Sequence, residues 1–185
     1  MKILKIVLVI IAILAIACTA VYAFYGGFST IEIRTEKTGG DIFVYESVTG
    51  DYSQTSLYTD KIYHSLLEDS IHTTRGAGIF YDNPKHVEIS KLRSEVGCLL
   101  DNEPDSLQMI TISEKHKIKT IPEGNYITAQ IPFKGPLSVV IGILKAYPAI
   151  NKYMEENNLP LDKSPVIEIY DMSNKKIVYL KQIIE

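Results

Sequence analysis

Cysteine is scarce in this chain, basic charge is not in excess, and only one long apolar run occurs. The two cysteines, Cys18 and Cys98, fall in that run and in a predicted strand. They should not pair, and they provide no disulfide framework from which to read a compartment. A net charge of −3, with Lys and Arg scattered rather than striped, argues against a nucleic-acid partner, which demands a basic surface. A Gly-rich phosphate loop and a nucleophile elbow are both missing. His64, His72, His86 and His116 are dispersed over helix, loops and linker without ligand spacing, which argues against a metal site. No cofactor is expected.

What is present begins with the apolar run Ile3 to Tyr25, broken only by Lys5 and softened by Thr19. From Ile6 onward it holds about 20 residues, enough at ~1.5 Å per residue to cross a hydrocarbon core of roughly 30 Å. Residues 1–27 are therefore read as a single-pass membrane anchor. A cleaved signal peptide competes, because Lys2 and Lys5 supply a basic start and small residues lie around Ala15 to Ala20. Lipidation at Cys18 after Ala15-Ile16-Ala17 is a third alternative. Lys2, Lys5 and the amino terminus favour a cytoplasmic short end, while Arg34 and Lys37 weaken that count, so the remainder is expected outside the cytoplasm. With 46% hydrophobic and 22% charged residues overall, residues 28–185 fit one compact domain.

Periodicity exposes an internal duplication. The first half reads as strand Asp41 to Val48, a Gly50-Asp51 turn, helix Ser53 to Glu68, strand Gly76 to Tyr81 and strand Leu92 to Leu100. The second half repeats that order: strand Asn125 to Pro132, a Gly135-Pro136 turn, helix Leu137 to Glu156, strand Val166 to Tyr170 and strand Lys176 to Ile184. Gly40 answers Gly124, Gly50 answers Gly135, and Tyr81-Asp82 answers Tyr170-Asp171. A βαββ unit exposes an apolar face that it cannot cover alone, so the reading is α+β, two tandem βαββ halves with a cleft between them. Tyr58, Ile62 and Leu66 mark the buried stripe of the first helix, with Tyr63 and Leu67 beside it. Val140, Leu144, Ile150 and Met154 suggest that of the second, which Pro148 is expected to kink or divide. Residues 101–119 read as the connection between halves.

Ile79-Phe80-Tyr81-Asp82-Asn83-Pro84, followed by Lys91-Leu92-Arg93-Ser94-Glu95-Val96, resembles the signature of the GyrI-like domain, known from the bacterial DNA gyrase inhibitor and drug-sensing transcription regulators. Val166-Ile167-Glu168-Ile169-Tyr170 is similar to that family's second landmark. The likeness covers everything after the anchor and is nearest to a membrane-anchored branch that includes an endoplasmic-reticulum autophagy receptor. It implies tandem βαββ halves, a duplication of the SHS2 type, forming a concave effector-binding site for small molecules, often cationic or aromatic.

Strand alternation nominates residues to line that concavity. Ile167 and Ile169 are expected to face the helices, leaving Glu168 and Tyr170 toward the groove. Glu168 is matched with Ile79 of the first half and Tyr170 with Tyr81, so a carboxylate stands where the other copy carries an aliphatic side chain. The same alternation adds Phe43, Tyr45, Tyr126, Thr128 and Gln130. Glu168, Tyr170, Tyr45, Tyr81, Tyr126 and Gln130 form the candidate ligand site, since a carboxylate among tyrosines suits a cation or an amphipathic aromatic. Pairing of Glu168 with a lysine, or a solvated edge position, is the structural alternative. Tyr81-Asp82-Asn83-Pro84 itself reads as a turn. The leading function is a membrane-anchored binding module rather than an enzyme. A protein-interaction module at the membrane is the first alternative. A small hydrolase of electrophilic compounds, with Glu168 as general base beside Tyr170, is implied by the family resemblance alone.

Overall fold

Among the described residues, eight strands pair antiparallel into one continuous sheet. The computed structural model describes residues 2–161 and 164–184. Helix α1 (Lys2–Phe24) is followed by β1 (Ile33–Thr38), β2 (Ile42–Thr49), α2 (Thr55–Glu68), β3 (Arg75–Phe80) and β4 (Arg93–Leu99). The chain continues through α3 (Ser106–Lys115), β5 (Lys117–Thr120), β6 (Gly124–Pro132), α4 (Pro136–Glu156), β7 (Val166–Asp171) and β8 (Lys176–Gln182). The expected βαββ order is present twice, as β2-α2-β3-β4 and β6-α4-β7-β8.

The halves meet through the β3–β7 pair, so they share one continuous sheet rather than standing apart across a cleft. Outward from that join the order is β3-β4-β2-β5 on one side and β7-β8-β6-β1 on the other. Each half is completed by the strand that precedes the other half's first strand: β1 lies on β6, with Ile33 opposite Ala129, and β5 lies on β2, with Ile42 opposite Thr120. Neither edge strand was expected from the sequence. β1 (IRTEKT) is exposed along most of its length and carries no apolar alternation to betray it. The segment 101–119, read as a connection, also holds α3, opened by a capping box between Asp105 and Gln108.

Both faces of the sheet are buried. On the helix side, Val44 and Cys98 pack with Ile62 and Leu66 of α2 and Ile112 of α3, while Ile127, Ile177 and Tyr179 pack with Ala146, Ile150 and Met154 of α4. On the other side Phe43, Ala77, Ile79, Leu99, Tyr126, Ile167, Ile169 and Leu180 form a cluster with Ile121, and no helix contributes to it. Strand side chains that bury one another without a helix over them require the sheet to curl, as strand twist permits. Cys98 has its thiol pushed up to about 12, first by burial, so it is a small hydrophobe and not a nucleophile.

Two expectations about α4 need correction. The helix runs through Pro148 as one element, with Ala146 and Ile150 buried on the sheet side, so the proline does not divide it. Its buried stripe is Ser138, Ile141, Gly142, Ala146, Ile150 and Met154, whereas Val140 and Leu144 are 52% and 66% exposed. The stripe reading chose the wrong residues in the first two turns because apolar side chains there occupy both faces.

Within the paired strands, Gly97 has no room for a side chain. A Cβ on Gly97 would lie 2.0 Å from the Val44 carbonyl oxygen and 2.9 Å from the Tyr45 Cα, both of them backbone. Gly97→Ala should therefore lower the unfolding free energy by about 1–3 kcal/mol or more, the range for overpacking, seen as a lower urea midpoint.

Candidate functional site

Glu168 lies on β7 directly opposite Gly78 of β3 and Tyr179 of β8. Directly opposed residues of an antiparallel pair share a face, and Tyr179 belongs to the cluster beneath α4. Glu168 and Tyr170 therefore point toward the helix side, and Ile167 and Ile169 toward the helix-free side, the reverse of the expectation. The assumption that isoleucine marks the helix side fails because the curl makes a second apolar core. The matching of Glu168 to Ile79 is also displaced by one residue, since Ile79 faces Ile167 across the β3–β7 pair.

The Glu168 side chain is 2% exposed and ringed by phenols. Tyr147 of α4 donates its hydroxyl to Oε1 at 2.7 Å, and Tyr170 donates to Oε2 at 2.5 Å. Tyr179 stands edge-on to Tyr147 with ring centroids 6.0 Å apart, and its buried hydroxyl has no hydrogen-bond partner among the described residues. Gly142 makes the room: a Cβ there would fall 2.1 Å from the Tyr179 hydroxyl. Burial holds the Glu168 carboxyl above its ordinary 4.5, and the hydrogen bonds from Tyr170 and Tyr147 only partly offset this. Tyr147, Tyr170 and Tyr179 are raised as well, first by burial and then by the neighbouring Glu168 charge, so all three keep their phenolic protons. Among the described residues Glu168 is neither paired with a lysine nor at a solvated edge, the two alternatives foreseen for it.

The other candidates lie elsewhere. Tyr81, just past β3, donates to Glu95 Oε2 at 2.6 Å. Glu95 is ion-paired with Lys119, whose Nζ sits 4.9 Å from the Tyr45 ring centroid. This tyrosine–carboxylate–lysine chain is on the helix-free side, since Glu95 faces Ile79. Tyr126 is a core residue whose hydroxyl is spent on the Pro122 carbonyl at 2.7 Å. Gln130 is exposed, opposite Val178. The six candidates thus divide between two faces. Tyr147, Tyr179, Glu95 and Lys119 were missed, although Tyr179 and Glu95 could have been found by extending the strand alternation through β8 and β4. The turn reading of Tyr81 to Pro84 agrees with the geometry, in which Asp82 clasps the Arg93 guanidinium at 2.8 and 2.9 Å and Asn83 accepts from the Lys85 N–H. Two depressions, lined in part by Ser70, His72 and Asn102 and by Lys37, Gly39 and Glu123, lie away from Glu168, which is buried behind the half-buried Tyr147 and Tyr170.

A carboxyl that binds its proton more tightly when folded has a definite pH signature. Its stabilising contribution is complete below the unfolded value and is lost as pH rises through the higher folded value. Glu168→Gln cannot ionise. Relative to the parent chain it should gain stability as pH is raised above the ordinary carboxyl value and level off once the raised folded value is passed, measured by urea unfolding across a pH series.

The family model described as the GyrI-like small molecule binding domain matches residues 35–181. Among curated proteins, testis-expressed protein 264 homolog of Mus musculus and testis-expressed protein 264 of Homo sapiens are each 31% identical over 101 residues, or 52% of this chain. The matched part is 32% of those relatives, so the chain spans about a third of their length. Of solved structures, the EcmrR C-terminal domain is similar with a TM-score of 0.56 at 12% identity, covering 84% of this chain and 98% of that one. SAV2435 bound to tetraphenylphosphonium gives 0.53 at 10% identity, over 83% and 94%. An integron cassette protein of Vibrio cholerae gives 0.55 at 11% identity, over 84% and 98%. At such identities the structures share the fold, while the family model covers most of the sequence. The chain belongs to the GyrI-like family of small-molecule-binding domains.

Proposed function

We propose that this chain is a membrane-tethered receptor for amphipathic cationic small molecules, which bind at Glu168 beneath α4. The observation that carries this reading is a carboxyl group buried among Tyr147, Tyr170 and Tyr179, whose hydrogen-bond partners among the described residues are two phenols. An ionised carboxylate in that place is costly on its own, and the cost is offset when a cation joins it. A bulky aromatic cation adds contact with the tyrosine faces. The family binds small molecules, and its member-like fold in SAV2435 accepts tetraphenylphosphonium.

Entry to the buried Glu168 requires the half-buried Tyr147 of α4 and Tyr170 of β7 to yield. Pro148, next to Tyr147, has no N–H to give the Leu144 carbonyl, so the helix lacks one rung of its ladder beside the residue that must move. The tether in this reading is α1, whose 23 residues span about 35 Å and are unburied along their length. The domain stands on the extracytoplasmic side, with Lys2 and Lys5 at the cytoplasmic end.

Calorimetric titration of the full chain in detergent with tetraphenylphosphonium tests the site. Glu168→Gln should weaken binding about 10- to 150-fold, the equivalent of the ~1.5–3 kcal/mol of a charged hydrogen bond. Glu95→Gln, on the other face, should leave affinity unchanged. Loss of binding in the Glu95 variant with retention in the Glu168 variant would transfer the site to the helix-free side.

A further inference from the structure

Helix α4 is apolar on both faces over its first three turns, and only one face meets the sheet. Leu137, Val140, Leu144 and Pro148 recur at intervals of three and four residues and form an outward stripe, flanked by Ile143. Leu137, Val140, Ile143 and Leu144 are 46%, 52%, 42% and 66% exposed, a contiguous apolar patch of the kind that marks an interaction surface. The only charge between Pro136 and Ala146 is Lys145.

The end of α1 is fastened to this same part of the molecule. Lys145 Nζ donates to the carbonyls of Gly26 and Gly27 at 2.7 and 2.9 Å and also to that of Ser29, just beyond the last turn of α1. Lys134 Nζ donates to the Phe24 carbonyl at 2.6 Å and sits 4.8 Å from the Phe24 ring centroid. The Tyr25 hydroxyl lies close to Gly135, where a Cβ would come within 3.1 Å of it. Two lysines thus cap the carbonyl end of α1, as cations favour helix C-termini, and they hold the start of α4 against the point where the apolar helix ends. Leu144 is the neighbour of Lys145, so the outward stripe begins within one lysine side chain and one helical turn of that point.

We propose that the outward face of α4, formed by Leu137, Val140, Ile143 and Leu144, docks on the lipid bilayer surface beside the α1 exit, with Lys134 and Lys145 at headgroup level. This inference rests on the reading of α1 as a membrane span. Continuity with the apolar helix selects lipid as the occupant over a partner protein, because the capping lysines leave the stripe no freedom to move away from the membrane. Interfacial helices of this kind bury their apolar face by ~5–10 Å at the headgroup boundary. The same helix carries Tyr147 on its inner side, so a lipid-dissolved cation would meet α4 from the bilayer.

The test uses the full chain with Cys18→Ala and Cys98→Ala, reconstituted into phosphatidylcholine vesicles carrying acyl-chain nitroxide lipids. Single cysteines bearing an environment-sensitive fluorophore replace Val140 or Leu144 on the stripe, Ile11 within α1, or Leu57, an exposed residue of α2 on the other half of the sheet. The Val140 and Leu144 probes should be quenched at least about twofold more than the Leu57 probe, as shallow apolar insertion requires. Quenching at Ile11 with none at Val140 and Leu144 overturns the docking while the span stands. Absence of quenching at Ile11 removes the span and the docking with it. Unquenched but blue-shifted emission at Leu144 that reverts on dilution of protein in lipid would assign the stripe to a second copy of the chain and overturn the proposal.

Discussion

A single sheet that must bury both of its faces governs the rest of this structure. Helices α2, α3 and α4 cover one side, and the other is closed by strand side chains meeting one another. Curling is the physical route to that closure, because six strands must bring Phe43, Ala77, Ile79, Leu99, Tyr126, Ile167, Ile169 and Leu180 together without a covering layer. Gly97 is the local consequence, a position where the backbones of β2 and β4 come too close for a side chain. The continuous β3–β7 join is the global one, since it lets two βαββ units share one interior.

Within that frame, β7 is an apolar strand with a carboxyl at its centre. Glu168 is tolerated because two phenols reach it from different elements, Tyr170 along the strand and Tyr147 down from α4. A phenol satisfies the lone pairs of a carboxylate without supplying an opposite charge, and burial accordingly raises the carboxyl above its ordinary value. The chain Tyr81–Glu95–Lys119 on the opposite face contrasts with it, since its carboxylate already has a lysine and its environment is partly exposed.

Helix α4 joins the carboxyl cluster to the end of α1, with Tyr147 on one side, Leu144 on the other and Lys145 between them on the carbonyls that follow α1. Its two apolar faces explain why stripe analysis misassigned Val140 and Leu144. Hydrophobic periodicity reports which positions are apolar, and where both faces of a helix carry apolar residues it does not say which of them meets the sheet.

The sequence by itself determined the secondary elements of the two halves, their repeated order, the apolar helix at the start and the family, because each of these is local in the chain or repeated along it. Gly-Pro and Asp-Asn-Pro turns, strand alternation and a sustained apolar run leave their marks within a few residues. Three things were decided only in the tertiary structure. The polar edge strands β1 and β5 exist because partners wait for them on β6 and β2, roughly 90 and 75 residues away in the chain, and no local pattern encodes a partner. The facing of β7 depends on which side of the sheet has helices, and a strand apolar on both faces does not carry that information. The neighbours of Glu168 come from α4, β7 and β8, so the difference between a solvated carboxylate and a buried one among phenols arose only when those elements packed.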